Sequence, residues 1–402
     1  MKQPSLTIGI IIPQFPSYTE TFFLSQVIGL CERGYIVNVF CNSVNTDPVM
    51  EKIFRLKQYG NLHIIPLGAK KLSIAAFKSL LFHPLNFIKW IRIPGATFKK
   101  EMYEQFCKIY FKKHACDIYH FGYSGTAISY LALFDSLPGK IMVSCLGTAE
   151  NVKPLSEPER AEKLNTLFQK TDKVHCVSAR MERTIQAYGA TPEKIFINRP
   201  AIDTTVFARK EYYQATKKIQ LLSIGRLVFQ KGFLTGILAI AELKKNYNDF
   251  SWIIVGEGPE QEELIFYIHL FQLEKNVVLA GKKTRDEVLK LYHQTDIFFL
   301  PSVSEGIANV ILEAMAMEIP VVASNSGGIE EAITNKVNGM LCKNYDFESM
   351  ANEIYLLCQN FEQRKLLGLQ GRKTVEESFA IKRYIDVFEK EYHTLVHTKS
   401  YL

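Results

Sequence analysis

The sequence predicts an α/β protein built from two doubly wound, parallel β-sheets. The chain has 402 residues, which is too long for one ordinary hydrophobic core. Its apolar content of 47% and charged content of 22% are those of a soluble globular protein. In both halves, short apolar runs alternate with segments of helical period, which is the pattern of parallel strands covered by helices.

The first half opens with a strand, a helix and a second strand. Residues 6–12 are an apolar run, and Ser17 with Glu20 forms a capping box for a helix that ends at Gly34. Residues 35–41 form the second strand. Because G-x-G-x-x-G is absent from this unit, a dinucleotide site here is not supported. Further strands are predicted at 61–67, 117–121, 140–145, 173–177 and 195–198.

One histidine of this half is a candidate for chemistry. His120 lies in the strand that runs into the glycine loop 122–125. Ligands of α/β proteins bind where parallel strands end, so His120 is a candidate catalytic group. The alternative is a structural histidine that is hydrogen-bonded to the backbone.

The second half repeats the alternation. Its strands are predicted at 219–224, 252–255, 277–281, 297–300, 319–323 and 338–342. Helical patterns fill the gaps, and residues 380–397 form a last helix rich in aromatic and charged residues. The predicted boundaries are therefore 1–203 and 204–378 for the two domains, with 379–402 as a helix that packs back on the first.

The stretch 300–313 places two carboxylates around the start of a helix. Glu305 lies in a polar loop and Glu313 lies two turns into the helix, while Gly306 and Asn309 form the helix N-terminus. The free N–H groups at such an end attract anions. A phosphate held there suits a sugar near Glu305 and a ribose near Glu313. The alternative is a solvated acidic loop with one surface glutamate.

Other turns of this half converge on the same edge of the predicted sheet. Gly225, Arg226 and Lys231 follow the first strand, Gly256 follows the second, and Lys282 follows the third. Cations that flank a turn neutralise a diphosphate, and glycine permits close approach of the backbone. Their convergence on one edge predicts a ligand site there.

The net charge of +7 is concentrated in one segment. Residues 67–114 contain ten Lys or Arg and two acids, interleaved with aromatic side chains. Such a surface suits an anionic membrane face, and it also suits nucleic acid or an ordinary solvated helix. No apolar stretch reaches the ~18 residues of a membrane-spanning helix. The eight cysteines are scattered without a C-x-x-C pair, which predicts reduced core residues of a cytosolic protein.

At this point the sequence resembles a known family, the retaining GT-B glycosyltransferases of family four, which make bacterial polysaccharides. The motifs that carry the resemblance are SIGRLVFQKG (223–232), IIVGEGPEQEEL (253–264), VVLAGKK (277–283), DIFFLPSVSEGIANVILEAMAMEIPVVAS (296–324) and SGGIEEAI (326–333). The first half agrees more loosely, through TETFF (19–23), DIYHFG (117–122) and NRPAIDTTVF (198–207). The implied fold is GT-B, with two Rossmann-like domains facing across a cleft.

The resemblance also implies roles for residues. Arg226 and Lys231 would hold the donor diphosphate, Glu305 the donor-sugar hydroxyls and Glu313 the ribose. His120 would lie beside the reacting centre, from the acceptor-side domain. The implied donor-binding set, which includes the amides that hold the distal phosphate, comprises Gly225, Arg226, Lys231, Gly256, Lys282, Glu305, Gly306, Asn309, Val310, Ile311 and Glu313.

The chain departs from the family at one place. Many relatives carry a His or Arg before Gly-x-Asp, where this chain has Leu146, Gly147 and Glu150.

The implied reaction is metal-independent sugar transfer with retention. D-x-D does not occur in the sequence, and no carboxylate is evident as a nucleophile, so front-face attack with the departing phosphate as base is expected. The expected partners are a nucleotide-sugar donor and a glycan or lipid-linked acceptor, without nucleic acid, cofactor or metal. The expected location is the cytoplasm, with contact to the inner membrane face. The alternatives are an epimerase or phosphorylase of the same fold, or a binding protein without catalysis.

Overall fold

The computed structural model describes residues 6–17, 21–47, 55–68, 95–209 and 218–397. The contacts divide the chain into two compact units, each built around one parallel sheet. Unit 1 comprises Met1–Cys176, Glu182–Asn198 and Ile385–Leu402, and unit 2 comprises Val177–Met181 and Arg199–Tyr384. The predicted class, α/β with two parallel sheets, is confirmed. The predicted domain boundaries at 203 and 378 stay predictions.

Among the described residues, unit 1 contains a seven-stranded sheet. Its strands are β1 (Thr7–Phe15), β2 (Ile36–Val44), β3 (Leu62–Pro66), β4 (Ile118–Phe121), β5 (Lys140–Cys145), β6 (Lys173–Cys176) and β7 (Ile195–Ile197). Their order is β3-β2-β1-β4-β5-β6-β7, and adjacent strands are parallel. Ile8 of β1 pairs with Ile118 of β4 and is fully buried, as expected for a central strand that is covered on both faces.

The described part of unit 2 contains a six-stranded sheet. Its strands are β8 (Ile219–Ile224), β9 (Phe250–Val255), β10 (Val277–Leu279), β11 (Ile297–Leu300), β12 (Val321–Ser324) and β13 (Met340–Cys342). The order is β10-β9-β8-β11-β12-β13, again with parallel pairs. All four residues of β11 are fully buried, so this strand lies at the centre of the core.

Helices fill the connections between the strands. In unit 1 and at its borders they are α1 (Thr21–Glu32), α2 (Gly95–Lys113), α3 (Ser124–Ser129), α4 (Thr148–Asn151), α5 (Lys153–Ser156), α6 (Glu159–Lys170) and α7 (Ala179–Gln186). The later helices are α8 (Phe233–Lys244), α9 (Gln261–Leu270), α10 (Arg285–Gln294), α11 (Asn309–Ala316), α12 (Phe347–Gln359), α13 (Phe361–Ser378) and α14 (Ile381–His397). Thr284 and Glu287 close a capping box at the start of α10.

The predicted elements differ from the observed ones mainly at their ends. Strand β9 begins at Phe250 rather than 252, and β12 runs from Val321 to Ser324 rather than from 319 to 323. Helix α11 begins at Asn309, later than the predicted start at Gly306. The capping box predicted at Ser17 and Glu20 involves a residue outside the described ranges.

All eight cysteines are buried and free, so their predicted place in the core is confirmed, while the predicted cytosolic location stays a prediction. Within the described ranges, no helix has the length and apolar character needed to cross a membrane.

Candidate active site

The predicted donor-binding residues lie in loops at one edge of the unit 2 sheet. Since all strands of this sheet are parallel, their carboxyl ends meet at the same edge, where α/β proteins bind ligands. Arg226 and Lys231 follow β8, and Glu305 follows β11, the neighbour of β8 in the sheet. Strand order therefore brings together residues that are 74 positions apart in the sequence.

Lys231 and Glu305 form an ion pair. The Lys231 Nζ lies 2.6 Å from Glu305 Oε1, and the two side chains are only 20% and 12% exposed. The hydroxyl of Ser302 donates to the same carboxylate oxygen at 2.8 Å. Two predicted donor-site residues are thus in direct contact, and an opposite charge and a hydrogen bond hold the carboxylate in place.

Two glycines allow the loops around this pair to approach each other. Gly232 has a φ of +62°, and an added Cβ would lie 2.1 Å from the carbonyl oxygen of Pro301. Gly327, after β12, has a φ of +67°, and its Cβ would lie 1.6 Å from the carbonyl oxygen of Glu305. Only glycine fits both requirements. The three loops after β8, β11 and β12 therefore pack as one surface around Glu305.

The second carboxylate, Glu313, is held by a tyrosine from α10. The hydroxyl of Tyr292 donates to Glu313 Oε2 at 2.8 Å, and Tyr292 is fully buried. Burial raises the pKa of Glu313, while the hydrogen bond from Tyr292 and the charge of Arg285 lower it. Glu305 and Glu313 are thus held by different partners, Lys231 in the first case and Tyr292 in the second.

The start of α11 separates the two carboxylates. The helix has Ala308 as its N-cap, whose side chain makes no cap hydrogen bond. The amide of Ile311 donates to the Ala308 carbonyl at 3.0 Å, so the Asn309 and Val310 amides are the first two of the helix. Gly306 lies between Glu305 and the helix, and its carbonyl accepts a hydrogen bond from Gly328 at 2.7 Å.

The remaining predicted residues lie on the neighbouring turns. Gly225 donates its amide to the Val255 carbonyl at 2.9 Å, and Gly256 donates to the Gly281 carbonyl at 3.0 Å. The side chains of Arg226 and Lys282 are exposed. The turns after β8, β9 and β10 are thus linked through their backbones, and their two cationic side chains face solvent.

His120 lies in the interior of unit 1. It is fully buried, and its Nδ1 lies 2.7 Å from the Tyr392 hydroxyl while its Nε2 lies 2.7 Å from the Ser144 hydroxyl. Burial and the neighbouring His175 lower the pKa of His120 to about 3, so the ring is neutral at physiological pH. The ring is held by side-chain hydroxyls and not by the backbone bonds of the structural alternative, and its catalytic role stays a prediction.

The hydrogen bonds of His120 belong to a series of hydrogen bonds in which the donor and the acceptor of each bond can be assigned. His175 Nε2 lies 2.8 Å from the Asn198 carbonyl, which only accepts, so Nε2 carries the proton. His175 Nδ1 then accepts from Ser144 at 2.8 Å, and Ser144 accepts from His120 Nε2. His120 Nδ1 is left to accept from Tyr392, which accepts in turn from Gln26 at 3.0 Å. This series therefore assigns the proton of each histidine ring to its Nε2 atom.

A buried carboxylate occupies the place where the sequence departs from the family. Glu150 is 1% exposed, and its Oε2 accepts from the Gly147 amide at 3.1 Å. Its Oε1 accepts a short hydrogen bond from Ser124, whose oxygen accepts from Arg160 at 3.3 Å. Burial raises the pKa of Glu150, and these hydrogen bonds and the charge of Arg160 lower it. Glu150 thus joins the loops that follow β4 and β5.

Sequence reasoning missed Ser302, Tyr292 and the Glu150 cluster. Ser302 lies inside the motif that contains Glu305, so their spacing of three residues was an available signal. Tyr292 lies 21 positions before Glu313 on another helix, and no local pattern connects them.

Comparison with known proteins finds a family model that matches much of the second half. Residues 206–374 match the model of the family described as glycosyl transferases group 1. AmsK of Erwinia amylovora, an amylovoran biosynthesis glycosyltransferase, is 28% identical over 383 residues, which cover 91% of this chain and 94% of AmsK.

Solved structures share the fold over nearly the whole chain. A glycosyltransferase from Rickettsia africae ESF-5 has a TM-score of 0.75 at 17% identity and covers 99% of this chain and 100% of its own. Anabaena HepE, crystallised with UDP-glucose, has a TM-score of 0.74 at 15% identity and covers 97% and 100%. The GT-B fold predicted from the sequence is confirmed.

Proposed function

We propose that this chain is a group 1 glycosyltransferase that moves a sugar from a nucleotide-diphosphate sugar to a glycan or lipid-linked acceptor. The observation that carries the proposal is the pairing of Lys231 with Glu305 at the carboxyl edge of the unit 2 sheet. The role of AmsK in amylovoran biosynthesis supports a cell-surface polysaccharide as the product.

In the proposed reaction, the residues of unit 2 stabilise the leaving group. As the bond between the anomeric carbon and the phosphate oxygen breaks, negative charge develops on the diphosphate. Lys231 and Arg226 neutralise this charge, and the Asn309 and Val310 amides at the start of α11 stabilise it further. Glu305 accepts hydrogen bonds from the donor sugar, and Glu313 accepts from the ribose.

We propose that transfer retains the anomeric configuration. The acceptor hydroxyl attacks the face from which the diphosphate departs, and its proton passes to the departing phosphate oxygen. Product stereochemistry measured by NMR tests this step, since an inverted anomeric centre would exclude it. We also propose that no metal is required, so activity in excess EDTA should equal that without it.

The proposed function is tested by a nucleotide-release assay with UDP-, GDP- and ADP-sugars. UDP-glucose is the first donor to test, because the HepE structure contains it. We expect release of one nucleoside diphosphate, faster when an acceptor glycan or lipid is present. Absence of release from every donor, with and without acceptors, would contradict the proposal.

We further propose that the basic segment 67–114 binds an anionic membrane surface. Residues 69–94 lie outside the described part of the chain. In the described part of α2, Ile109 is 51% exposed, and Lys112 and Lys113 are exposed beside it. An apolar side chain next to two cations is suited to the interface of an anionic bilayer.

A further inference from the structure

The two carboxylates of the donor site are held in the same way. One oxygen of Glu305 accepts from the Ser302 hydroxyl at 2.8 Å, and one oxygen of Glu313 accepts from the Tyr292 hydroxyl at 2.8 Å. Both hydroxyl residues are fully buried. Because neither can turn toward solvent, each fixes the orientation of its carboxylate.

Tyr292 is held rigidly by its surroundings. Its ring packs edge-on against Phe207 and at a tilt of 36° against Phe298, with the centroids 6.0 Å apart in both pairs. Its hydroxyl also lies 3.3 Å from the Val310 carbonyl. A phenol has one proton, and the shorter contact to a carboxylate is the stronger hydrogen bond. The Tyr292 hydroxyl therefore donates its hydrogen bond to Glu313.

Ser302 is fixed by the end of β11. It follows Pro301, whose carbonyl oxygen packs against Gly232 on the loop that carries Lys231. Glu305 Oε1 thus accepts from Ser302 on its own loop and from Lys231 on the neighbouring loop. Within the described residues, Glu305 Oε2 and Glu313 Oε1 accept no hydrogen bond from the protein, so each carboxylate keeps one oxygen for a ligand hydroxyl.

We propose that Ser302 and Tyr292 are positioning residues of the donor site, and that each serves a different part of the donor. Ser302 orients Glu305 for the transferred sugar, and Tyr292 orients Glu313 for the ribose. This inference rests on the proposed function. Neither residue touches the donor itself; each acts through a carboxylate.

The two variants should therefore affect the two ligands differently. The ribose is present in both the nucleotide sugar and the free nucleoside diphosphate. The transferred sugar is present only in the nucleotide sugar. Ser302→Ala should lower kcat/KM for the nucleotide sugar about 10- to 100-fold and leave the Kd of the nucleoside diphosphate unchanged. Tyr292→Phe should weaken both by a similar factor.

The experiment measures the Kd of UDP, GDP or ADP by calorimetry and kcat/KM with the matching sugar. Ser136→Ala and Tyr247→Phe are matched controls, since the Ser136 hydroxyl donates to the Leu133 carbonyl in unit 1 and Tyr247 stacks on Phe250. A second readout is pH. Loss of the Tyr292 hydrogen bond raises the pKa of Glu313, which has to be ionised to accept from the ribose. As the pH is lowered, nucleotide binding by Tyr292→Phe should therefore weaken at a higher pH than binding by the wild type.

Equal weakening of both ligands by Ser302→Ala would overturn its positioning role, as would wild-type nucleotide binding by Tyr292→Phe. A wild-type protein that binds and releases none of the three nucleotides would overturn the proposed function, and this inference with it. The two failures are distinguishable, because only the second is seen in the unmodified protein.

Discussion

The resting state of the site is set by the contact between Lys231 and Glu305. Both side chains are largely buried, and their charges cancel at 2.6 Å. In the proposed reaction, a donor diphosphate draws Lys231 away from its carboxylate partner, while Ser302 continues to hold Glu305. Glu305 therefore keeps its orientation when its cationic partner moves to the phosphate.

Replacement of Lys231 by Ala should reduce turnover about 100- to 1,000-fold, since it removes a cation aimed at the developing charge. The nucleotide-release assay measures the effect. Lys283→Ala is a suitable control, because Lys283 pairs with Glu287 on the surface at 3.6 Å. Near-normal sugar transfer by the Lys231 variant would show that this residue does not stabilise the departing diphosphate.

The sequence predicted that Lys231 and Glu305 lie at one edge of the sheet, but it did not predict the hydroxyl groups that hold the carboxylates. Glu305, Glu313 and Lys231 lie in motifs whose spacing around strand ends is visible in the chain. Ser302 and Tyr292 were missed because a hydroxyl group gains its role only from the side chain it meets after folding. His120 was singled out by its position at a strand end, and no local pattern indicated that Tyr392 covers it.

At the scale of elements, helix α14 is joined to the unit 1 sheet by polar and aromatic contacts. Tyr392 enters the hydrogen-bond chain through His120, and Phe388 packs edge-on against His175 with the centroids 4.9 Å apart. Arg33, at the end of α1, pairs with Asp386 and Glu389 at 2.5 and 2.6 Å. The chain of neutral histidines makes this attachment sensitive to acid.

Unit 1 should lose stability as the pH falls below about 6.5, the ordinary pKa of histidine. Burial lowers the pKa of His120 to about 3 and of His175 to about 4, so the unfolded chain binds protons that the folded chain does not. Each histidine then removes about 1.4 kcal/mol of stability per pH unit until its folded pKa is reached.

This loss is measurable as the free energy of unfolding between pH 7.5 and 5. His175→Gln should flatten the pH dependence relative to the wild type, because it removes one of the two buried histidines. Parallel pH profiles for the wild type and His175→Gln would show that the buried histidines do not control acid stability.

At the scale of the whole molecule, the fold was predictable because parallel strands covered by helices are continuous apolar runs. The four residues of β11 are all apolar and all buried, and their limits were predicted correctly. The predicted strand ends were less accurate where the strand extends beyond its continuous apolar run, as in β9, which begins at Phe250. The start of α11 was misplaced because the loop residues Ile307 and Ala308 are apolar and buried without being helical.

Charge distribution is also a property of the whole chain, and it leads to a prediction on membranes. The protein should sediment with vesicles that contain anionic lipid and remain free with neutral vesicles, because residues 67–114 carry a surplus of eight positive charges. Salt at 0.5 M should release it. Replacement of Lys112 and Lys113 by Gln should weaken binding, and equal sedimentation with neutral vesicles would contradict an electrostatic interaction.

The contact between Gly327 and the Glu305 carbonyl also limits how this protein can be recombined with its relatives. Gly327 has to pass within van der Waals distance of that carbonyl, and Gly328 donates a hydrogen bond to the Gly306 carbonyl at 2.7 Å. The backbone path of one loop therefore depends on that of the other. Chimaeras with a crossover between residues 306 and 327 mix loops from two parents, and the proposed donor site is preserved only if both parents share this backbone path.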